Sequence, residues 1–212
     1  MRPFKVAKRS SSSKKWLREH FNDTYVQQAK QQGYRSRAAY KLLAIQQKDK
    51  LFKPGQQVLD LGAAPGSWSQ VVAECVGDHG QVIALDRLEM SSLAGVTIIQ
   101  GDFTEADVYA QVKQLLQGRP LDWVLSDMAP NMSGTKAVDQ PRAMYLCELA
   151  RDCALEHLGP GGGFLCKVFQ GAGFDSFLQS LREAFTQVTT RKPDASRARS
   201  TEVYLLARGL KA

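Results

Sequence analysis

The chain has no paired cysteines. Cys75, Cys147, Cys153 and Cys166 include no C-x-x-C pair, and the three histidines are scattered. Neither a disulfide framework nor a metal site is expected; buried thiols are. No apolar run approaches the ~20 residues of a membrane helix, so no membrane association is expected. The N-terminal residues are basic and serine-rich but lack the apolar core of a secretory signal, which points to the cytoplasm. Internal repeats and inter-domain linkers are missing too. The 212 residues, 43% hydrophobic and 23% charged, suit one soluble α/β domain with a sizeable core.

Charge is present but unevenly placed. Residues 1–53 carry fourteen Lys and Arg against three acids, Glu19, Asp23 and Asp49, whereas the rest carries fourteen against eighteen. Residues 1–15 therefore read as a basic, flexible arm on a single domain spanning 16–212. Such an arm suits a polyanion, nucleic acid above all, although a solvated tail would have the same composition.

Leu17, Phe21 and Tyr25 recur at helical spacing, which predicts a helix from Lys15 to about Gln32, ended by Gly33. Ser36 is a candidate N-cap for a second helix to about Gln47, with Pro54-Gly55 as the turn beyond. Apolar or β-branched runs then follow at Val58–Leu61, Val82–Leu85, Val96–Ile99, Trp123–Ser126, Gly163–Phe169 and Glu202–Ala207. Helical patterns lie between several of them, at Ser67–Cys75, Ala106–Gln117, Gln140–His157 and Phe174–Ala184. Near-continuous apolar strands separated by helices predict a mostly parallel sheet covered on both faces.

The first predicted strand ends in Asp60 and leads through Gly62-Ala-Ala-Pro-Gly66 into a helix. Small residues there let backbone approach a nucleotide-like ligand, and the helix start offers unpaired N–H groups; ordinary tight turns use glycine as well. Asp86 closes the next strand, where an acid accepts hydrogen bonds from ribose hydroxyls, and Asp102 closes the third, where a base would lie. Each could be a simple strand-end cap, but successive acids at one sheet edge fit a ligand at the carboxyl ends of the strands. A dinucleotide loop would read G-x-G-x-x-G. Here Ala64 replaces the middle glycine and Pro65 removes an N–H, so a phosphate-free, cationic methyl donor flanked by Asp60 and Asp127 ranks above NAD.

Two lysines interrupt apolar surroundings. Lys167 sits inside Phe-Leu-Cys-Lys-Val-Phe, and Lys41 lies on the stripe of Ala38, Leu42 and Ile45. Lysine is seldom buried unless paired, though either could reach water along its stem. Asp127 follows the strand Trp123–Ser126, and Glu202 begins or interrupts another core strand. Two lysines and two acids could neutralise one another as a buried cluster.

Asp60 to Trp68, Ser126 to Gly134, Lys167-Val-Phe-Gln and Ser196 to Tyr204 together resemble the FtsJ-like ribose 2′-O-methyltransferases, over about Lys15 to Arg208. The resemblance implies a Rossmann-like methyltransferase fold with S-adenosylmethionine as cofactor. It also implies a catalytic tetrad of Lys41, Asp127, Lys167 and Glu202, and cofactor contacts from Gly66, Trp68, Asp86, Asp102 and Asp127. Within the family the likeness is nearest to bacterial members that methylate a uridine of 23S ribosomal RNA, which implies a monomer working on the large ribosomal subunit. A family member acting on tRNA or an RNA cap is the alternative, and so is a non-catalytic assembly factor, which would need no tetrad. Arg35 and Arg37, beside the Lys41 helix, are candidate RNA contacts; exposed helix-start charges would look the same.

Overall fold

The computed structural model describes residues 23–197 and 199–211. The predicted arm, and the part of the first predicted helix before Asp23, lie outside the described residues. Helix α1 (Thr24–Gln32) starts where the Asp23 carboxylate accepts from the Tyr25 amide at 3.1 Å, a cap that the period of Leu17, Phe21 and Tyr25 did not reveal. Gly33, in the left-handed region, ends it as expected. Helix α2 (Ala39–Asp49) begins three residues after Ser36, whose hydroxyl and carbonyl accept from the Ala38 and Ala39 amides and turn the chain into the helix.

The sheet contains β1 (Gln57–Leu61), β2 (Gln81–Asp86), β3 (Val96–Gln100), β4 (Leu121–Ser126), β5 (Leu158–Phe169), β6 (Phe185–Arg191) and β7 (Glu202–Leu210). Between them run α3 (Ser67–Val76), α4 (Ala106–Leu116), α5 (Lys136–His157) and α6 (Phe174–Ala184). The spatial order is β3-β2-β1-β4-β5-β7-β6, with the first five strands parallel and β7 antiparallel to both neighbours. The mostly parallel α/β sheet is thus as expected.

Three local differences have simple causes. Strand β6 escaped sequence reading because it follows α6 with no Gly or Pro between Ala184 and Phe185, and its edge position leaves half its side chains wet. Helix α5 starts four residues before Gln140 and carries Pro141 inside its first turns. Asp102 lies beyond the end of β3, in the turn that follows it.

Alternation along each strand feeds two cores. Leu59, Leu61, Ile83, Val124, Phe164 and Leu205 pack against α4, α5 and α6. Val58, Val82, Trp123, Leu165 and Leu206 pack against α2 and α3 on the other face. Between β1 and β4 the strand order reverses, so the loops leaving their carboxyl ends diverge and open a crevice.

Gly163 marks close packing in the second core. A Cβ there would lie 2.4 to 2.7 Å from three atoms of the Trp123 ring, which is itself packed edge-on against Phe52. Gly163→Ala is expected to destabilise the protein by about 1–3 kcal/mol through overpacking. Thermal unfolding followed by circular dichroism checks this: a Tm lowered by several degrees is expected, and an unchanged Tm would show that the ring yields freely.

Candidate active site

The glycine loop is shaped by what crowds it. Gly62 and Ala63 donate to the Leu85 carbonyl, and the Ala64 amide donates to Asp86 Oδ2 at 2.9 Å. Asp86 Oδ1 accepts from the Leu88 amide at 2.8 Å, so one carboxylate fixes both the loop and its own turn. A Cβ on Gly62 would lie 2.5 Å from Met128 Cγ, and this close approach explains the glycine. Gly66 caps α3 with φ at 103°, a conformation that disfavours any side chain.

Arg35 lies against Gly66. Its guanidinium donates to the carbonyls of Pro65 (2.9 Å), Ser91 (3.0 Å) and Ser92 (2.7 Å), strapping the glycine loop to the loop after β2. Arg37 pairs with Asp23 and donates to the Ala195 carbonyl. The two arginines that the sequence offers as RNA contacts are thus engaged within the chain.

A cleft of about 860 Å³ opens at the switch point, lined by Asp86, Asp102, Phe103 and Asp127 and, across from them, by Arg142 and Tyr145 of α5. Its size falls in the range of small-molecule sites. The Thr104 hydroxyl and amide hold the Asp102 carboxyl below the ordinary range against partial burial, with Arg87 adding to the effect. The floor of the loop after β4 is set by Asp139, whose carboxylate accepts from Ser133 and Gly134 at 2.8 to 2.9 Å.

Beneath the glycine loop, a recess of about 20 Å³ is walled by Asp60, Ala63, Trp68 and Asp127 among others. Trp68 is 2% exposed, donates to the Ala38 carbonyl at 3.0 Å and packs on Tyr204, so it also pins the start of α2. Asp60 is fully buried. Its Oδ2 accepts from Ser69 at 2.7 Å, while Oδ1 has no partner. Burial pushes its carboxyl up to about 7; the Ser69 hydroxyl opposes this, and the Asp127 and Asp86 charges reinforce it.

The remaining expected residues converge on the same edge. In the antiparallel register Lys167 faces Tyr204 and Phe169 faces Glu202, so Lys167, Glu202 and Tyr204 share the face that α2 covers. Lys41 reaches down from α2 to Glu202 Oε1 at 2.7 Å. Lys167 Nζ lies 3.2 Å from Asp127 Oδ1 and donates to the Asp127 carbonyl. The four side chains are only 8 to 19% exposed, so each lysine is buried with a carboxylate partner.

Tyr204 joins the two pairs, its hydroxyl 3.0 Å from Asp127 Oδ1 and 3.3 Å from Glu202 Oε1. Burial and the two carboxylates push the phenol well above its ordinary value, so it stays a donor. Burial works to raise the Glu202 carboxyl too, but Lys41, Lys167 and the Ser196 hydroxyl outweigh it and hold the group below the ordinary range. Tyr204 and Ser196 were missed as site residues. Strand period gave a signal for Tyr204, two positions from Glu202, but a buried tyrosine in a strand reads first as core.

Residues 34–210 match the model of the FtsJ-like methyltransferase family. The chain belongs to this family. It is 64% identical to the ribosomal RNA large subunit methyltransferase E of Chromohalobacter salexigens, over 94% of this chain and 95% of that one. To the protein of the same name from Pseudomonas aeruginosa it is 59% identical, over 96% and 98% of the two chains. A Plasmodium falciparum crystal structure assigned to the ribosomal RNA methyltransferases superposes with a TM-score of 0.75 at 30% identity, covering 84% of this chain and 98% of that one. The Rossmann-like fold and the methyltransferase class expected of this FtsJ-like chain are therefore found.

Asp60 gives a test of the buried geometry. An unfolded aspartate loses its proton near ~3.9 and the folded one near about 7, so the native state holds the extra proton between these values. Stability contributed at this site therefore falls as pH rises through that window. Asp60→Asn, which can still accept from Ser69, is expected to gain stability relative to wild type as pH rises from 4 to 8, by at most about 4 kcal/mol. Denaturant unfolding at both pH values checks this; an equal difference at the two would show that Asp60 is not the buried acid described.

Proposed function

We propose that this protein transfers a methyl group from S-adenosylmethionine to the 2′-hydroxyl of a uridine in 23S ribosomal RNA, on the large ribosomal subunit. The observation that carries the proposal is the meeting of two lysine–carboxylate pairs around Tyr204 at the rim of an acid-lined cleft. The names of the relatives supply the ribosomal RNA.

The donor set fits such a cofactor. Asp86 and Asp102 line the cleft where ribose hydroxyls and a base need acceptors, and the orphaned Asp60 oxygen offers a buried acid that a neighbouring cation would draw into its charged form. Gly66 and Trp68 shape the loop and the recess, and Asp127 borders both cavities. Bound there, the cofactor supplies an electrophilic methyl on a positively charged sulfur.

The chain's residues then act on the acceptor. A ribose hydroxyl is a poor nucleophile at neutral pH, so the proton must leave as the new O–C bond forms and the S–C bond breaks. Lys167 Nζ, once its ammonium has released a proton to solvent, takes the hydroxyl proton as a neutral amine, and Asp127, 3.2 Å away, orients it and balances the charge it regains. Lys41 and Glu202, paired across the site, hold the ribose, and Tyr204 keeps both carboxylates in place. Fixing the acceptor oxygen in line with the methyl group supplies much of the rate.

Lys167→Ala is expected to lower turnover on large subunits at least about a hundredfold, with S-adenosylhomocysteine binding by calorimetry retained. The readout is labelled methyl incorporation, compared among large subunits, free 23S ribosomal RNA and tRNA, with resistance of the product to alkaline cleavage marking a 2′-O-methyl group. Near-normal turnover would overturn the role of Lys167; methyl transfer to tRNA or to a base would overturn the substrate. Arg35→Ala, by loosening the strap on the glycine loop, is expected to weaken S-adenosylhomocysteine binding several-fold at unchanged RNA affinity. Loss of RNA affinity alone would return Arg35 to the RNA interface.

A further inference from the structure

The catalytic cluster has no charge to spare for a polyanion. Lys41 is paired with Glu202 and Lys167 with Asp127. Arg35 is spent on three carbonyls, and Arg37 on Asp23 and the Ala195 carbonyl. Yet an RNA 2′-hydroxyl is vicinal to a 3′-phosphate, so an anion must come to rest within one ribose of the acceptor oxygen. Some cation near Lys41 and Glu202 must meet it.

The segment between β6 and β7 places one there. It is latched to the site at two points: Ala195 accepts from Arg37, and Ser196 Oγ donates to Glu202 Oε1 at 3.0 Å. Ala195 and Ser196 are buried. Bonds inside the segment link its described residues, from the Ser196 amide to Pro193 O (2.8 Å), the Ser200 amide to Arg197 O (2.9 Å) and Lys192 Nζ to Ser200 O (2.8 Å). Its far end is tied to the next loop by the Gln170 amide on Thr201 O at 3.0 Å.

Arg197 is the next residue after Ser196, half-buried on this segment. Among the described residues no carboxylate pairs with it. The charge it acts on is another cation: after burial, the Arg197 charge is what pulls the Arg37 guanidinium down from its ordinary value. The two guanidinium groups thus repel each other beside a neutralised active site, and an anion reaching them would relieve that repulsion. Arg37 is already compensated by Asp23, so the unspent charge is that of Arg197.

We propose that Arg197, carried beside Glu202 by the Ser196 and Ala195 latches that precede it, binds the 3′-phosphate of the acceptor nucleotide and so sets which ribose of the strand enters the site. Planar, forked donors suit a phosphodiester, whereas a lysine would offer only a point charge. The inference rests on the RNA-ribose reading above.

The experiment compares Arg197→Gln and Arg197→Lys with wild type, using Lys53→Gln as a control for an exposed charge lost elsewhere. Affinity for an unmethylated 23S ribosomal RNA fragment is measured by filter binding across a salt series, which needs no turnover. Arg197→Gln is expected to bind about tenfold more weakly and to reduce the slope of log K against log salt by about one. KM should rise while turnover at saturating RNA falls less than threefold, and S-adenosylhomocysteine affinity and Tm should match wild type. Arg197→Lys should recover the salt slope but only part of the affinity. An Arg197→Gln slope equal to wild type, or no larger a change than Lys53→Gln gives, would overturn the phosphate site. If instead wild-type protein methylates no ribosomal RNA ribose, the parent reading fails; the binding series still scores Arg197 as an RNA contact or not.

Discussion

Everything at this site depends on putting two ammonium groups and two carboxylates out of water at one sheet edge. Each such charge carries a desolvation cost of several kcal/mol that only a well-made pairing repays. The four come from four places: α2, the end of β4, the carboxyl end of β5 and the start of β7. Lys167 and Glu202 arrive through the antiparallel β5–β7 register, and Asp127 through the parallel β4–β5 register. Only Lys41 arrives on a helix, so the position of α2 decides whether Glu202 is paired or stranded.

The fastening of α2 follows from that requirement. At its start, Trp68 holds the Ala38 carbonyl, and Arg37 ties the preceding turn to Asp23 and Ala195. Its last residue, Asp49, is gripped in a fork by Arg191 at 2.6 and 2.8 Å, while Arg208 takes the Asp49 carbonyl. Gln46 accepts from Leu51 and Phe52 to turn the chain away. Both grips reach to β6, β7 or the segment joining them, the elements that carry Glu202 and Tyr204. The helix and the strand bearing the two halves of one ion pair are thus clamped to each other at both ends.

Residue types proved more legible than partners. Apolar runs located six strands because a sheet covered on both faces must be continuously apolar, and the two odd lysines, Lys167 within one of those runs and Lys41 on the apolar stripe of a helix, marked the candidate site because burial of an unpaired ammonium is so costly. Nothing in the spacing told whether Arg35 would point at a ligand or at Pro65, Ser91 and Ser92. A guanidinium satisfies carbonyls and phosphates with the same fork, so composition alone leaves both open. Tyr204 was hidden for the converse reason: its ring is ordinary core, packed on Trp68, and only its hydroxyl belongs to the site. The cap at Asp23 and the edge strand β6 were set by single local contacts that a periodicity over ten or more residues averages away.

The shared tyrosine also changes what a substitution at this site measures. Tyr204 has one hydroxyl proton and two carboxylate neighbours, so whatever shifts Glu202 alters the hold on Asp127 and, through it, on Lys167. Removing Lys41 leaves Glu202 buried and charged, with Ser196 and Tyr204 as its remaining hydrogen-bond donors. The damage then includes a stranded carboxylate as well as the loss of the proposed contact to the acceptor. Losses from single residues in such a unit do not add, because each already contains part of the next. The energetic unit of this active site is the linked set of two pairs and one phenol, and its four charges cancel. On the proposed reading, a neutral hydroxyl enters that set without adding charge, while the phosphate beside it has to be met by a cation from outside.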